Sequence, residues 1–290
     1  MDIRQKGKLY LCPTPIGNLK DMTERTIEIL KSADLIAAED TRNTLRLLNH
    51  FDIHTKLTSY HEHNKYDKAE ELIGYMLEGK NVACVTDAGT PGISDPGEVL
   101  VNKAIDSGLE VVSLPGPTAL ITALTVSGLP ARRFVFEGFL PKNKKEKSMV
   151  LEDIKDQTRT VILYESPHHL RDTLKELMNI LGNSRRIALC RELTKIHEEV
   201  IRLSLEEAVR YYQDMEPKGE YVIVIEGKPI EEIDMERRRK CEGMSIPEHV
   251  AFYEAGGFDR KTAMKKAAED RGMLKRDIYK AILQAEEQMI

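Results

Sequence analysis

Short apolar runs alternate with helix-length amphipathic segments through the first 117 residues. The runs are LYLCP, DLIAAED, KLTSY, VACVTDAG and VVSLPG, and between them lie TERTIEILKSA, TRNTLRLLNHF, KAEELIGYMLEG and GEVLVNKAIDSG. Near-continuous apolar strands separated by amphipathic helices predict a mainly parallel sheet covered on both faces. Gly, Pro or Asp follows several of the strands at once, and the carboxyl ends of strands are where open α/β sheets place their ligands.

After the small-residue helix TALITALTVSG the pattern changes. FVFEGFL, VILYES, RIALCREL and EYVIVIEG are longer and more aromatic, and they are separated by a basic loop and by helical segments such as HHLRDTLKELMNIL. They predict a second α/β lobe with a mixed sheet. From Glu231 strand signals stop. IEEIDMERRRKCEG reads as a charged linker, followed by three helical segments with Asp259 as a cap and Gly256, Gly257 and Gly272 as stop signals. The expected organisation is therefore an N-terminal lobe over 1–117, a second lobe over 118–230 that closes a cleft, and a linker with a helix-turn-helix-like tail over 231–290.

Composition changes this picture little. A formal net charge of −5 across 290 residues does not announce a nucleic-acid binder, so any such contact must use a local patch. The sharpest patch is Ala131–Lys147, with six Lys/Arg (Arg132, Arg133, Lys142, Lys144, Lys145 and Lys147) against two Glu; the tail adds Arg237, Arg238, Arg239, Lys240, Lys265, Lys266, Lys275 and Arg276 but is nearly neutral overall. Cys12, Cys84, Cys190 and Cys241 form no CxxC pair, which argues against a disulfide framework or a zinc site and for reduced, buried thiols. The first residues lack the apolar core of a signal peptide, and the longest apolar stretch, near Thr118–Leu129, is too short to span a bilayer. A cytoplasmic protein is expected.

Three strand-to-helix joints carry the candidate chemistry. Leu9–Asn18 runs from a strand into a Pro/Gly turn, without the GxGxxG of nicotinamide-binding folds. Val82–Gly97, VACVTDAGTPGISDPG, is more specific: its glycines let backbone approach a small molecule, and Asp87 stands at the strand end where a ligand-binding carboxylate belongs. Leu114–Ala119, LPGPTA, repeats the joint a third time. If the three strands are neighbours, the joints converge on one sheet edge.

Residues 9 to about 228 resemble the tetrapyrrole methylase superfamily of S-adenosylmethionine-dependent enzymes. The segments CPTPIGNL, AAEDTR, VTDAGTPGISDPG, LPGPTA, FEGFLP, YESPHH and CRELTK are similar to the branch that methylates a cytidine 2′-hydroxyl in small-subunit ribosomal RNA. In the porphyrinoid-modifying relatives the first loop is GxGxGD-like, whereas Pro13–Asn18 reads PTPIGN here, which argues against a porphyrinoid substrate. The resemblance implies S-adenosylmethionine folded in a cleft between two lobes. Pro15 would lie near it, with Asp87, Ala88, Gly89, Ile93 and Ser94 around its methionine and ribose and Thr118 and Ala119 beside them; Tyr164, Leu193 and the Gly219-Glu220 turn would close over the adenine. The implied substrate is a cytidine in the decoding region of 16S ribosomal RNA within the small subunit, and superfamily members commonly pair, so a homodimer is expected.

A ribose hydroxyl attacks a methyl group only as its proton leaves, so a base or orienting group is required, and no metal. Glu39, Asp40, Glu165 and Arg191 are the candidates, with Arg42 and Lys195 as further phosphate contacts beside the basic segment. An Asp40 helix cap and an Arg191–Glu165 ion pair are the competing structural explanations. Tyr60-His61-Glu62-His63 lacks a third matched ligand and reads as a solvent-exposed or RNA-facing loop. Two other functions remain open from sequence: a small-molecule methyltransferase of the tetrapyrrole type, and a noncatalytic ribosome assembly factor.

Overall fold

The computed structural model describes residues 6–240 and 242–287. The side chains of Arg237, Arg238 and Lys240, and all of Cys241, lie outside the described part. One compact unit comprises the described residues of Met1–Lys155 with Arg159–Glu226; the other comprises Asp156–Thr158 with those of Gly227–Ile290.

The first unit opens with β1 (Lys8–Leu11), α1 (Glu24–Ser32), β2 (Leu35–Ala38), α2 (Thr41–His50), β3 (Leu57–Ser59), α3 (Lys65–Leu77), β4 (Val82–Val85), α4 (Gly97–Asp106) and β5 (Glu110–Ser113). The strands form an all-parallel sheet in the order β3-β2-β4-β1-β5. Side chains alternate between its faces. Leu35, Ala37, Val82 and Cys84 pack under Leu72, Met76 and Leu100 of α3 and α4, while Ile36, Ala38, Ala83 and Val85 meet Leu30 and Leu48 of α1 and α2. Both faces are covered, which is why β2 and β4 are apolar at every position.

Helix α5 (Ala119–Ser127) leads to a second sheet made of β6 (Phe134–Phe139), β7 (Thr160–Glu165), β8 (Arg186–Arg191), β9 (Glu199–Ser204) and β10 (Tyr221–Ile225), with α6 (Lys144–Lys155), α7 (Leu170–Leu181) and α8 (Leu205–Tyr211) between them. Its order is β6-β7-β10-β8-β9; β6 and β7 are parallel and the other pairs antiparallel. The expected parallel first sheet and mixed second sheet are therefore present. Leu120, Ala123 and Leu124 of α5 cover one face, against Ile162, Ala188, Cys190 and Val224. The other face holds Leu163, Leu189 and Ile223 against α6, α7 and α8. Leu163 is fully buried on the penultimate strand, so Leu163→Ala should lower unfolding free energy by about 2–5 kcal/mol in urea titration.

Two sequence expectations need correcting. The basic segment 131–147 is not a loop: Phe134–Phe139 is strand β6, and Lys144, Lys145 and Lys147 lie on the first turn of α6, with Lys147 paired to Glu176 at 2.6 Å. The charged linker contains helix α9 (Ile230–Lys240), because Glu and Arg are strong helix formers even without an apolar stripe.

In the second unit α9 is followed by α10 (Ile246–Ala255), α11 (Arg260–Arg271) and α12 (Lys275–Glu287). Val250, Ala263, Met264, Ala267, Ile278 and Ile282 form their small core. Ser245 and Glu248 form a capping box, Asp259 caps α11 through the Thr262 amide, and Gly272 ends α11 at φ +63°. No helix among the described residues is long and apolar enough to cross a membrane.

Candidate active site

β4, β1 and β5 are adjacent and parallel, so their three glycine- and proline-marked joints leave the same sheet edge. They are tied to one another before any ligand arrives. Thr14 and Gly89 exchange backbone hydrogen bonds of 2.9 and 3.0 Å, and the buried Thr14 hydroxyl donates to the Thr86 carbonyl at 3.0 Å. Thr90 donates to the Pro117 carbonyl at 3.0 Å and its hydroxyl lies 2.7 Å from that of Thr118. The Asp95 carboxylate accepts from the amides of Gly92, Ile93 and Gly97, which fixes the glycine-rich turn as a rigid lip. These are the backbone conformations that only such sequences permit: Gly89 sits at φ +87°, where a side chain would be strained.

Facing this lip are the ends of β7, β8 and β10. Between the two sheets lies a cavity of about 410 Å³. Of the residues expected around a cofactor, Ala88, Gly89, Ile93, Ser94, Thr118, Ala119, Tyr164, Leu193 and Glu220 line it. Glu39, Glu165 and Lys195 line it too. Pro15 and Asp87 do not; they border a smaller groove next door, with Thr86 shared by both. β4 ends at Val85, and in the bend that follows the Asp87 Oδ1 accepts from the Asp40 amide at 3.1 Å on the groove side. Gly219 is one residue from the lining, at φ +80°, where a Cβ would fall 2.5 Å from the Glu192 Cγ.

The remaining candidates are dispersed. Asp40 caps α2 by accepting from the Arg42 amide at 2.8 Å and pairs with the Arg42 guanidinium at 3.0 Å; these bonds hold its carboxyl near pKa 2. Arg191 is across the β8–β9 ladder from Glu199 and pairs with it at 3.2 Å. The suggested Arg191–Glu165 pair is absent, since Glu165 instead accepts from the Ser166 amide at 2.7 Å and the Thr173 hydroxyl at 2.6 Å. Tyr60, expected in an exposed loop, is buried, and its hydroxyl donates to the Pro96 carbonyl at 2.8 Å. Arg132, Arg133, Lys142, Lys144 and Lys145 are exposed, the arginines before β6, Lys142 on the approach to α6 and the other two on its first turn.

Several lining residues escaped the sequence reading, among them Ile16, Thr86, Phe139, Cys190, Glu192 and Val222. Glu192 carries the most chemistry. It adopts φ +50°, close to Thr194 at +66°, and Ser94 opposite stands at +62°; strained non-glycine backbone thus gathers at the cleft mouth. Burial opposes the Glu192 charge, but the Lys195 ammonium at 2.8 Å and the Glu220 amide at 3.0 Å outweigh it, so its carboxyl sits below its ordinary range. The contribution of that shift to stability is present above the ordinary glutamate pKa and is lost as pH falls through the depressed one. Gly17 comes so close to this loop that a Cβ would lie 2.4 Å from the Lys195 Cγ.

The lining sorts into three kinds of surface. Ile16, Ala88, Ile93, Ala119, Leu193 and Val222 are apolar; Tyr164 and Phe139 place their rings 5.6 Å apart, edge to face; Glu39, Glu192 and Glu220 supply carboxylates. Aromatic rings and carboxylates together suit a planar base, vicinal hydroxyls and a compact cation. Cys190 belongs to the apolar wall: burial pushes its thiol up to about 12, and likewise that of Cys12 beneath the first joint. Neither should react with iodoacetamide in the folded protein between pH 7 and 9, and both should react after denaturation; peptide mapping of carbamidomethyl groups checks this.

Two stacked α/β lobes, one parallel and one mixed, with a cleft at the carboxyl edge of the first, define the class of the tetrapyrrole methylase fold. The chain belongs to that family, described as Tetrapyrrole (Corrin/Porphyrin) Methylases, which it matches over residues 8–209, and within it to the ribosomal RNA small subunit methyltransferase I group. Proteins named ribosomal RNA small subunit methyltransferase I are similar to it at 52% identity in Halalkalibacterium halodurans (94% of each chain), 48% in Bacillus subtilis (95% of this chain, 94% of the other) and 43% in Escherichia coli O157:H7 (96% of each). Among solved structures, uroporphyrin-III C-methyltransferase of Thermus thermophilus complexed with S-adenosyl homocysteine superposes with TM-score 0.54 at 18% identity, covering 75% of this chain and 97% of its own. Diphthine synthase superposes with TM-score 0.59 at 14% identity, covering 77% and 90%. At those identities the likeness concerns the fold.

Proposed function

We propose that the protein uses S-adenosylmethionine to methylate small-subunit ribosomal RNA, at the 2′-hydroxyl of a cytidine in the decoding region of 16S RNA. The observation that carries this reading is the cleft itself: a cavity of about 410 Å³ with apolar, aromatic and carboxylate walls, in a chain close to half identical to ribosomal RNA small subunit methyltransferase I proteins. The lining suits the cofactor, with the Tyr164 and Phe139 rings and the apolar residues for adenine and Glu192 or Glu220 for hydroxyl and ammonium groups. When bound, S-adenosylmethionine supplies an electrophilic methyl group. What the protein contributes is position, exclusion of water and a proton acceptor.

Glu39 fits the last role. Its Oε2 accepts from the Thr86 hydroxyl at 2.7 Å and faces the Asp87 amide at 3.4 Å, which fixes the side chain at the cavity wall. Its Oε1 makes no hydrogen bond among the described residues, leaving a lone pair for a ribose hydroxyl. Of the other lining acids, Glu165 is held by Ser166 and Thr173 and Asp95 by three amides, while Glu192 and Glu220 pair with the Lys195 ammonium, which suits them to bind polar groups rather than to take a proton.

The decisive experiment incubates the protein with methyl-labelled cofactor and small subunits from a strain lacking the enzyme, then digests the RNA. Label on a cytidine ribose is expected. Label on a base would replace the ribose assignment, and tight cofactor binding without transfer would turn the reading to an assembly factor.

RNA must also be held outside the cleft. Lys142, Lys144 and Lys145 are exposed, while Lys147 is occupied by Glu176. Replacing the three exposed lysines by Ala should weaken subunit binding about tenfold at low salt and flatten its salt dependence, because fewer counterions are released, with cofactor affinity unchanged. Filter binding across a salt series checks it.

A further inference from the structure

The groove beside the cleft is a separate recess of about 170 Å³, and Thr86 forms the wall common to both. Its sides are apolar: Pro15 from the first joint, Leu19 from the following turn and Leu47 from α2. Its polar end is Asp87 with Asn43. The Asp87 Oδ1 accepts from the Asp40 amide at 3.1 Å, which fixes the carboxylate, and the Asn43 side chain stands beside it as a hydrogen-bond donor. Asp87, Asn43 and Leu19 are all exposed, so the recess opens to solvent and to a large ligand.

From this geometry we infer that the groove receives the base of the target nucleotide, and that Asp87 with Asn43 selects a 4-aminopyrimidine. The inference rests on the ribose-methylation reading above and adds residues to it. Three features of the groove lead to it. A recess of this size has room for one base between its aliphatic walls. An ionised carboxylate accepts an exocyclic amino group, and the neighbouring amide can donate to the ring acceptors next to it; uracil would set its O4 against the carboxylate, two acceptors facing each other. Thr86 borders both spaces, so a ribose seated over it would set its 2′-hydroxyl towards Glu39 on the cleft side while its base occupies the groove. Single-stranded RNA is read in this way, with a splayed base between apolar faces and its edge hydrogen-bonded. Arg42, whose side chain is 86% exposed on the first turn of α2, stands at the same end for an adjoining phosphate.

The test uses small subunits whose methylated position has been mapped by mass spectrometry, and a second set carrying uridine at that position. The full-length protein should methylate the cytidine form with kcat/KM about tenfold to a hundredfold above the uridine form. Asp87→Asn keeps the shape but can turn a donor towards O4, so it should narrow that ratio to within about threefold by slowing the cytidine reaction. Asn43→Ala, on an exposed helix turn, should slow the cytidine form about tenfold and is the second variant should the first misfold. Calorimetric affinity for S-adenosylmethionine should be unchanged in both, because neither residue lines the cofactor cavity. An unaltered cytidine-to-uridine ratio in Asp87→Asn, or no discrimination by the parent protein, overturns the base pocket while ribose methylation stands. Absence of ribose methylation by the parent protein overturns the functional reading and the base pocket with it.

Discussion

Glu39→Gln should reduce methyl transfer to small subunits by about a hundredfold to ten-thousandfold while leaving S-adenosylmethionine affinity within about twofold, since general-base contributions fall in that range. The amide keeps the shape, and its carbonyl oxygen can still accept from the Thr86 hydroxyl that holds the side chain at 2.7 Å. What is lost is the capacity of the second oxygen to take a proton. Single-turnover rates with saturating cofactor separate this from binding, because the loss should appear in the rate constant and not in KM for the subunit. A loss confined to KM would make Glu39 a binding group, and full activity would remove it from the reaction. Glu165→Gln is the control. Its carboxylate already receives a hydroxyl and an amide, so its replacement should disturb the end of β7 and lower stability before it alters chemistry.

The choice between Glu39 and its neighbours shows where reading the chain succeeded and where it could not. Glycine and proline advertise backbone that must turn sharply, so the joints at 12–18, 86–97 and 114–118 were legible, and the apolar strands on either side fixed their common edge. The direction of a carboxylate was not. Asp87 looked like the ligand group because it ends β4, yet it bonds the Asp40 amide beside the second groove, while Glu39, one residue beyond β2, faces the cavity. That difference depends on which way one residue points as the strand gives out, and periodicity loses its phase there. Glu192 was hidden for a related reason: its place comes from a left-handed backbone at φ +50° stabilised by Lys195 and the Glu220 amide, contacts 3 and 28 residues away in sequence.

Long-range pairing also decides a stretch to which the sequence pattern assigns no element. In EEVIRLSLEEAVRYY, Glu199–Ser204 is drawn into the ladder beside β8 as strand β9, and the helix starts only at the Ser204 cap. The Ser204–Glu207 capping box was the available sign of that boundary. The pairing also explains Arg191. Register places it opposite Glu199, and the ion pair formed there takes it out of the cleft wall.

Gly89→Val should be the most damaging single change to cofactor binding. Gly89 lines the cavity at φ +87° and exchanges both backbone hydrogen bonds with Thr14, so it cannot relax to a negative φ without breaking the tie between the first two joints. A β-branched side chain disfavours that region strongly, at a cost of about 1–3 kcal/mol, although its Cβ alone would make only ordinary contact with the Ile16 methyl at 3.4 Å and the Pro117 carbonyl at 3.7 Å. The outcome is either a strained loop with valine methyls projecting into the cavity or a relaxed loop that no longer forms the lip. Both predict weaker binding, by about tenfold to a hundredfold on the strain alone. Isothermal titration with S-adenosylmethionine measures it, and an unchanged melting transition for the second sheet's core would show that the fold survives. Gly74→Ala, on α3 with open space where its Cβ would stand, is the matched control and should leave affinity as it is. Equal affinity for both variants would mean that the lip does not touch the cofactor, and the cavity between the sheets would have to serve another ligand.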